Sequence, residues 1–135
     1  MCDIKQKIYE IAKKVYENLG AGHSEFIYHR AMEIELRKEK ILYDTEKRVL
    51  ITYKGYTLGD ERIDLFLMDE KIIIELKAVV NEPKISEIMQ VKKYYRELKK
   101  VGTTCSLGIL INFPQAGVKE PKTEIDYLIV KFVDE

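Results

Sequence analysis

Ile4, Ile8, Ile11, Val15 and Leu19 recur at helical spacing, and Gly20 follows as a natural stop, so an amphipathic helix is expected over about 3–19. Ser24 is placed to cap a second helix, about 25–39, with Ile27, Tyr28, Ala31, Ile34 and Leu36 among its apolar positions. The period then changes. Val-Leu-Ile-Thr-Tyr (49–53) has the β-branched content of a strand, and Lys54-Gly55 forms a turn. Strands are expected at 57–68 and 71–79. Pro83 marks a break, after which Ile85, Ile88, Val91, Tyr95 and Leu98 share one face of a third helix, about 84–100, and Gly102 follows its end. The run LGILINF (107–113) is wholly apolar and of strand length, as a strand buried on both faces would be. A loop with Pro114, Gly117 and Pro121 leads into a last strand at 125–133. The order ααβββαββ, without repeat or linker, describes one α/β domain over 1–135, a mixed β-sheet flanked by helices.

One segment does not fit a simple core strand. KIIIELKAVV (71–80) places Glu75 and Lys77 inside the most apolar run of the chain, although charged groups are almost never fully buried without compensation. A two- or four-residue loop around Met68-Asp69-Glu70-Lys71 would set Asp64 opposite Glu75 and Arg62 opposite Lys77. Opposed residues share a face, with Cβ atoms about 4.5–5.5 Å apart. Asp69-Glu70 lacks the Gly or Asn of a type I′ turn, which favours the four-residue loop. A three-residue turn would instead slip the register and separate Asp64 from Glu75. Two carboxylates sharing a site cannot both ionise cheaply, and a hard divalent cation such as Mg²⁺ resolves that conflict. Lys77 beside them could orient a water or neutralise charge developing on a phosphoryl group. The same pattern also suits a solvated strand face whose charges pair as surface salt bridges, each worth little.

Composition narrows the choices. The chain has 135 residues, 46% hydrophobic and 34% charged, the balance of a soluble globular domain. No apolar run approaches a membrane span, and MCDIKQKIYE lacks the apolar stretch of a signal peptide, so no membrane is expected and a cytoplasmic location is. Cys2, Cys105, His23 and His29 are the only thiols and imidazoles, too few for a four-thiolate cluster. Net charge is zero, so nothing global advertises a polyanion partner. Locally, Lys92, Lys93, Arg96, Lys99 and Lys100 crowd the second half of the third helix, either as a ridge along a phosphate backbone or as a solvated face with cations toward the helix C-terminus.

Taken together, several stretches resemble the GxxExxY family of the PD-(D/E)xK nuclease-like superfamily. Gly22-His23-Ser24-Glu25-Phe26-Ile27-Tyr28 matches the family's name stretch, and ITYKGYTLGDERIDLFL (51–67) the segment leading to the first acidic ligand. IIELKAV (73–79) matches its ExK motif, Gln90 and Tyr94 its QxxxY, and LGILINF its closing strand. The resemblance implies a restriction-endonuclease-like fold and assigns roles. Asp64 and Glu75 would hold Mg²⁺ (or Mn²⁺), with the Leu76 carbonyl as a further ligand. Lys77 would be the catalytic lysine, Glu25 would reach toward the metal or its water, and Gln90 would orient the site. Lys92, Lys93, Arg96 and Lys99 would meet the nucleic acid, and Gly22, Tyr28 and Tyr94 complete the motifs.

The function expected is therefore Mg²⁺-dependent hydrolysis of phosphodiester bonds in DNA. A domain this small offers one active site, so cutting both strands of a duplex would call for a homodimer. The alternative is a non-catalytic nuclease-fold module that binds or assembles within a nucleic-acid-processing complex. The zero net charge favours that alternative, as does the mixed-charge stretch PQAGVKEPKTEIDYL (114–128), where the family usually carries lysine and arginine.

Overall fold

The computed structural model describes residues 3–80, 84–115 and 129–134. The chain runs through helices α1 (Ile4–Leu19) and α2 (Glu25–Lys38), strands β1 (Tyr43–Tyr53), β2 (Tyr56–Leu67) and β3 (Ile72–Lys77), helix α3 (Ile85–Lys100), and strands β4 (Leu107–Asn112) and β5 (Ile129–Val133). This is the expected order. The strands form one sheet, arranged β1-β2-β3-β4-β5. β1, β2 and β3 are antiparallel neighbours. Beside β4 the hydrogen bonds advance along both strands together, from Ser106 N–H to the Lys71 carbonyl (2.9 Å) and from Phe113 N–H to the Lys77 carbonyl (2.8 Å). That is a parallel pair, and α3 supplies the long crossover such a pair requires. The sheet is mixed.

Two local expectations change, and a third lies outside the described residues. β1 begins at Tyr43, several residues before the apolar run, because its first half pairs with β2 from Tyr43↔Leu67 onward. As an edge strand it needs no apolar alternation, and most of Tyr43–Arg48 is exposed or half-buried. Ser24 occupies the N-cap of α2 but makes no side-chain capping hydrogen bond. The expected start of the last strand (125–128) and most of the mixed-charge stretch before it lie outside the described residues, as do Cys2 and Pro83.

Over the described residues the chain divides into two units. The first is drawn from Met1–Ile41, Leu76–Pro83 and Ile111–Val130, the second from Leu42–Glu75, Lys84–Leu110 and Lys131–Glu135. In the first, α1 and α2 bury Ile8, Ile11, Ala12, Val15, Tyr16, Tyr28, Met32 and Leu36. In the second, Val91, Tyr94, Tyr95 and Leu98 of α3 join Val49, Ile63, Phe66, Ile73, Leu110 and Val133 in one cluster. Gly108 sets how closely α3 approaches β4. A Cβ there would lie 2.5 Å from Val91 Cγ1, 3.1 Å from the Val133 carbonyl oxygen and 3.3 Å from Tyr95 Cε2.

Gly108→Ala is accordingly expected to destabilise the protein by about 1–3 kcal/mol, the usual cost of overpacking. Urea denaturation of the variant beside the wild type measures this. Unchanged stability would show that α3 yields freely at this contact.

Candidate active site

The β2–β3 hairpin closes over Met68–Lys71, the four-residue loop, with Lys71 N–H bonded to the Leu67 carbonyl (2.9 Å) and Lys71 at φ +59°. The register is the one that points Asp64 at Glu75: Leu67 pairs with Ile72, Phe66 with Ile73 and Leu65 with Ile74. At the next step a side chain intervenes. Glu75 Oε1 accepts the Asp64 backbone N–H at 3.0 Å. Glu75 is only 4% exposed, while Asp64 is half-buried. On the other side of β2, Thr45 pairs with Leu65 and Lys47 with Ile63. Glu46, between those two, adopts φ +54°, a left-handed conformation that non-glycine residues rarely take. The ladders on both sides of β2 are therefore irregular where Asp64 stands. Sheet irregularities of this kind re-aim side chains and concentrate at functional sites.

Helix α3 brings Gln90 and Tyr94 to the same region of the second unit. The Gln90 side-chain amide donates to the Tyr94 hydroxyl (2.8 Å), which lies 3.3 Å from the Arg62 carbonyl. Burial pushes the Tyr94 phenol well above its usual pKa, and the negative charge of Glu75 adds to this. The Gln90 hydrogen bond works the other way, while Glu61 and Asp64 raise the value further. Three carboxylates thus bear on one hydroxyl. Among the basic residues of α3, Lys93 places Nζ 2.7 Å from each carboxylate oxygen of Glu61 and 5.8 Å from the Tyr94 ring centre. Lys92 is half-buried, and Arg96 and Lys99 are exposed. A shallow concavity on the helix surface is lined by Ser86, Gln90, Lys93 and Arg96.

The first unit holds the continuation of β3. Leu76 is fully buried and Lys77 half-buried. The chain just beyond is fixed by Asn112, itself fully buried, whose Oδ1 accepts the Val79 N–H (2.9 Å) and whose Nδ2 donates to the Val79 carbonyl (3.1 Å). With the Phe113 N–H on the Lys77 carbonyl, Lys77 sits on a backbone tied at both ends of a three-residue stretch.

The Gly22–Tyr28 motif is laced into the same unit. Tyr28 stacks on Phe113 with ring centres 4.5 Å apart and planes 3° from parallel, and its hydroxyl donates to the Gly20 carbonyl (2.6 Å). Gln115 ties both ends of the motif, with Oε1 accepting the Gly22 N–H (2.8 Å) and Nε2 donating to the Tyr28 hydroxyl (3.2 Å). Gly22 takes φ +102°, which explains the glycine. Glu25 stands exposed in the first turn of α2. Sequence reasoning passed over Asn112 and Gln115. An asparagine ending an apolar strand is the one available signal, because a fully buried amide must find partners.

By chemistry the donors fit a metal. Asp64 and Glu75 offer carboxylate oxygens, the ligand type that Mg²⁺ and Mn²⁺ take, and the Leu76 carbonyl is the next oxygen along the strand.

Two outcomes follow. Tyr94 in the unfolded chain ionises near its ordinary pKa of about 10, whereas the folded protein keeps it neutral. Its contribution to stability is present below about pH 10 and is lost as pH rises toward the raised folded value. Denaturation curves across the alkaline range should therefore fall less steeply for Tyr94→Phe than for wild type. Equal slopes would contradict the environment described. Asn112→Leu leaves the Val79 N–H and carbonyl unanswered and should cost about 1–3 kcal/mol for each group that water does not reach. A thermal melt indistinguishable from wild type would show that the clamp is dispensable.

Among the described residues no helix is long and apolar enough to cross a membrane. No curated protein matches the chain. Among solved structures, that of the protein SSO0001 superposes with a TM-score of 0.59 at 18% identity, over 98% of this chain and 78% of that one. At such low identity the likeness speaks to fold alone. The family model of the PD-(D/E)XK nuclease superfamily matches residues 2–125, nearly the whole chain, and the chain belongs to that superfamily.

Proposed function

We propose that the protein is a Mg²⁺-dependent nuclease of the GxxExxY type that hydrolyses phosphodiester bonds in DNA. The observation that carries this reading is the junction of β2 and β3, where the Glu75 carboxylate, 4% exposed, is turned onto the backbone of Asp64, two residues before Lys77 on the same strand. An acidic pair held in that way, followed at once by a lysine, suits a site that binds a cation and works on phosphate. Superfamily membership supports the reaction class but does not choose the substrate.

In this reading Asp64, Glu75 and the Leu76 carbonyl would hold the ion. A divalent ion so held would polarise the phosphoryl oxygens and lower the pKa of a bound water. The chain's own residues do the rest. The Lys77 ammonium orients the attacking water and offsets negative charge as it builds on the phosphoryl oxygens. Its tied backbone, through Asn112 and Phe113, keeps that cation from drifting. Gln90, hydrogen-bonded to the Tyr94 hydroxyl, would orient the site. Glu25, carried on the first turn of α2, would reach toward the metal or its water, as the resemblance implies. Arg96, Lys92 and Lys99 of α3 receive the phosphate backbone, and Lys93 does so only by sharing its charge with Glu61.

Purified protein incubated with plasmid, single-stranded and branched DNA should cut at least one of them with Mg²⁺ or Mn²⁺ and none with EDTA. Asp64→Ala and Lys77→Ala should each lower the rate by on the order of 100-fold or more, as loss of a preorganised charge does. Equal cutting by wild type and both variants would point to a contaminant and remove the proposed site. No cutting of any substrate, with DNA still bound, would favour the non-catalytic module.

A further inference from the structure

The β1–β2 hairpin ends in a feature that the active site does not use. Lys54 and Gly55 hold φ +49° and +84°, the pair of left-handed residues that a two-residue type I′ turn needs. That turn sets Tyr53 directly opposite Tyr56. Directly opposed side chains leave the same face of a sheet with Cβ atoms about 4.5–5.5 Å apart. Tyr53 is 59% and Tyr56 75% exposed, and Leu58 beside them is 69% exposed. Two large rings so placed bury little within their own unit, and a cluster of exposed apolar side chains marks a contact surface.

Charge indicates what the surface meets. From Leu50 to Gly59 the sequence reads LITYKGYTLG, in which Lys54 is the lone charged residue. Its Nζ lies 5.4 Å from the Tyr53 ring centre. Two exposed rings on one face of the sheet, one of them with a cation over it, suit bases that stack and a phosphate that follows them. They suit a second copy of this chain less well, because a twofold contact centred on the tip would bring Lys54 against its own equivalent.

We propose that the hairpin tip is a stacking platform for unpaired nucleotides, with Tyr53 and Tyr56 receiving bases and Lys54 the adjoining phosphate. This deepens the nuclease reading and rests on it. Bases inside a duplex are already stacked, so the platform favours single-stranded or branched substrates over a blunt duplex.

The test is fluorescence anisotropy in EDTA, with a labelled single-stranded oligonucleotide and the blunt duplex of the same sequence. Wild type should bind the single strand more tightly. Tyr53→Ala and Tyr56→Ala should each weaken that binding about tenfold while leaving the duplex nearly unchanged. Tyr56→Trp, which keeps a stacking face without the hydroxyl, should retain it. Lys54→Ala should reduce the salt dependence by about one single-strand phosphate contact. Tyr→Ala variants that bind the single strand like wild type, from a protein that still cuts DNA with metal, would overturn the platform and leave the nuclease reading standing. A protein that neither binds nor cuts any DNA would overturn that reading and the platform with it. A wild-type dimer in sedimentation that Tyr56→Ala dissociates would assign the surface to a second copy and overturn the proposal.

Discussion

A carboxylate in an apolar strand has to be answered, and much of this structure is organised around the answer given to Glu75. β3 is buried from Ile72 to Leu76, and Glu75 falls within that run. An ionised group in such a place costs several kcal/mol unless hydrogen bonds or opposite charge compensate it. One oxygen is met by the Asp64 main-chain amide, a donor that a regular ladder would have spent on a carbonyl. The sheet thus gives up regularity at Asp64, and the left-handed Glu46 stands across β2 at the same place. A strand pair built only for stability would have placed a valine at position 75 and kept the ladder.

The surroundings carry the same preference for fixed polar groups. In the second unit, Tyr94 is nearly inaccessible yet keeps its hydroxyl between Gln90 and the Arg62 carbonyl, under the field of three carboxylates. In the first, Asn112 uses both ends of its amide on one residue, Val79, and Gln115 stitches Gly22 to Tyr28. Each is a buried or half-buried polar side chain with its partners in place. Satisfied networks of this kind hold one geometry, whereas half-satisfied ones destabilise a core. The glycine and tyrosine of the GxxExxY stretch accordingly act through packing: Gly22 permits the turn, and Tyr28 locks it against Phe113.

Much of this was legible in the chain. Period and punctuation gave the order of elements, since Gly20, Gly55 and Gly102 stand where helices or hairpins end with positive φ. The four-residue loop fixed the β2–β3 register because a pleated strand allows only alternate residues on one face. What stayed hidden has a common cause. The early start of β1 comes from pairing to a neighbour, the missing Ser24 cap from local geometry, and the Asn112 and Gln115 clamps from contacts made tens of residues away. None of these leaves a period in the sequence. Glu46 is the sharpest case: nothing in YDTEKRVL announces the left-handed residue that stands across from Asp64.

The central claim is that Asp64 and Glu75 together hold a divalent cation, and calorimetric titration of Mn²⁺ into the protein tests it without requiring any reaction. Wild type should show saturable binding, and Asp64→Ala and Glu75→Gln, confirmed as folded, should each lose it. Binding that persists unchanged in both variants, or a wild type that takes up no ion, would contradict the account.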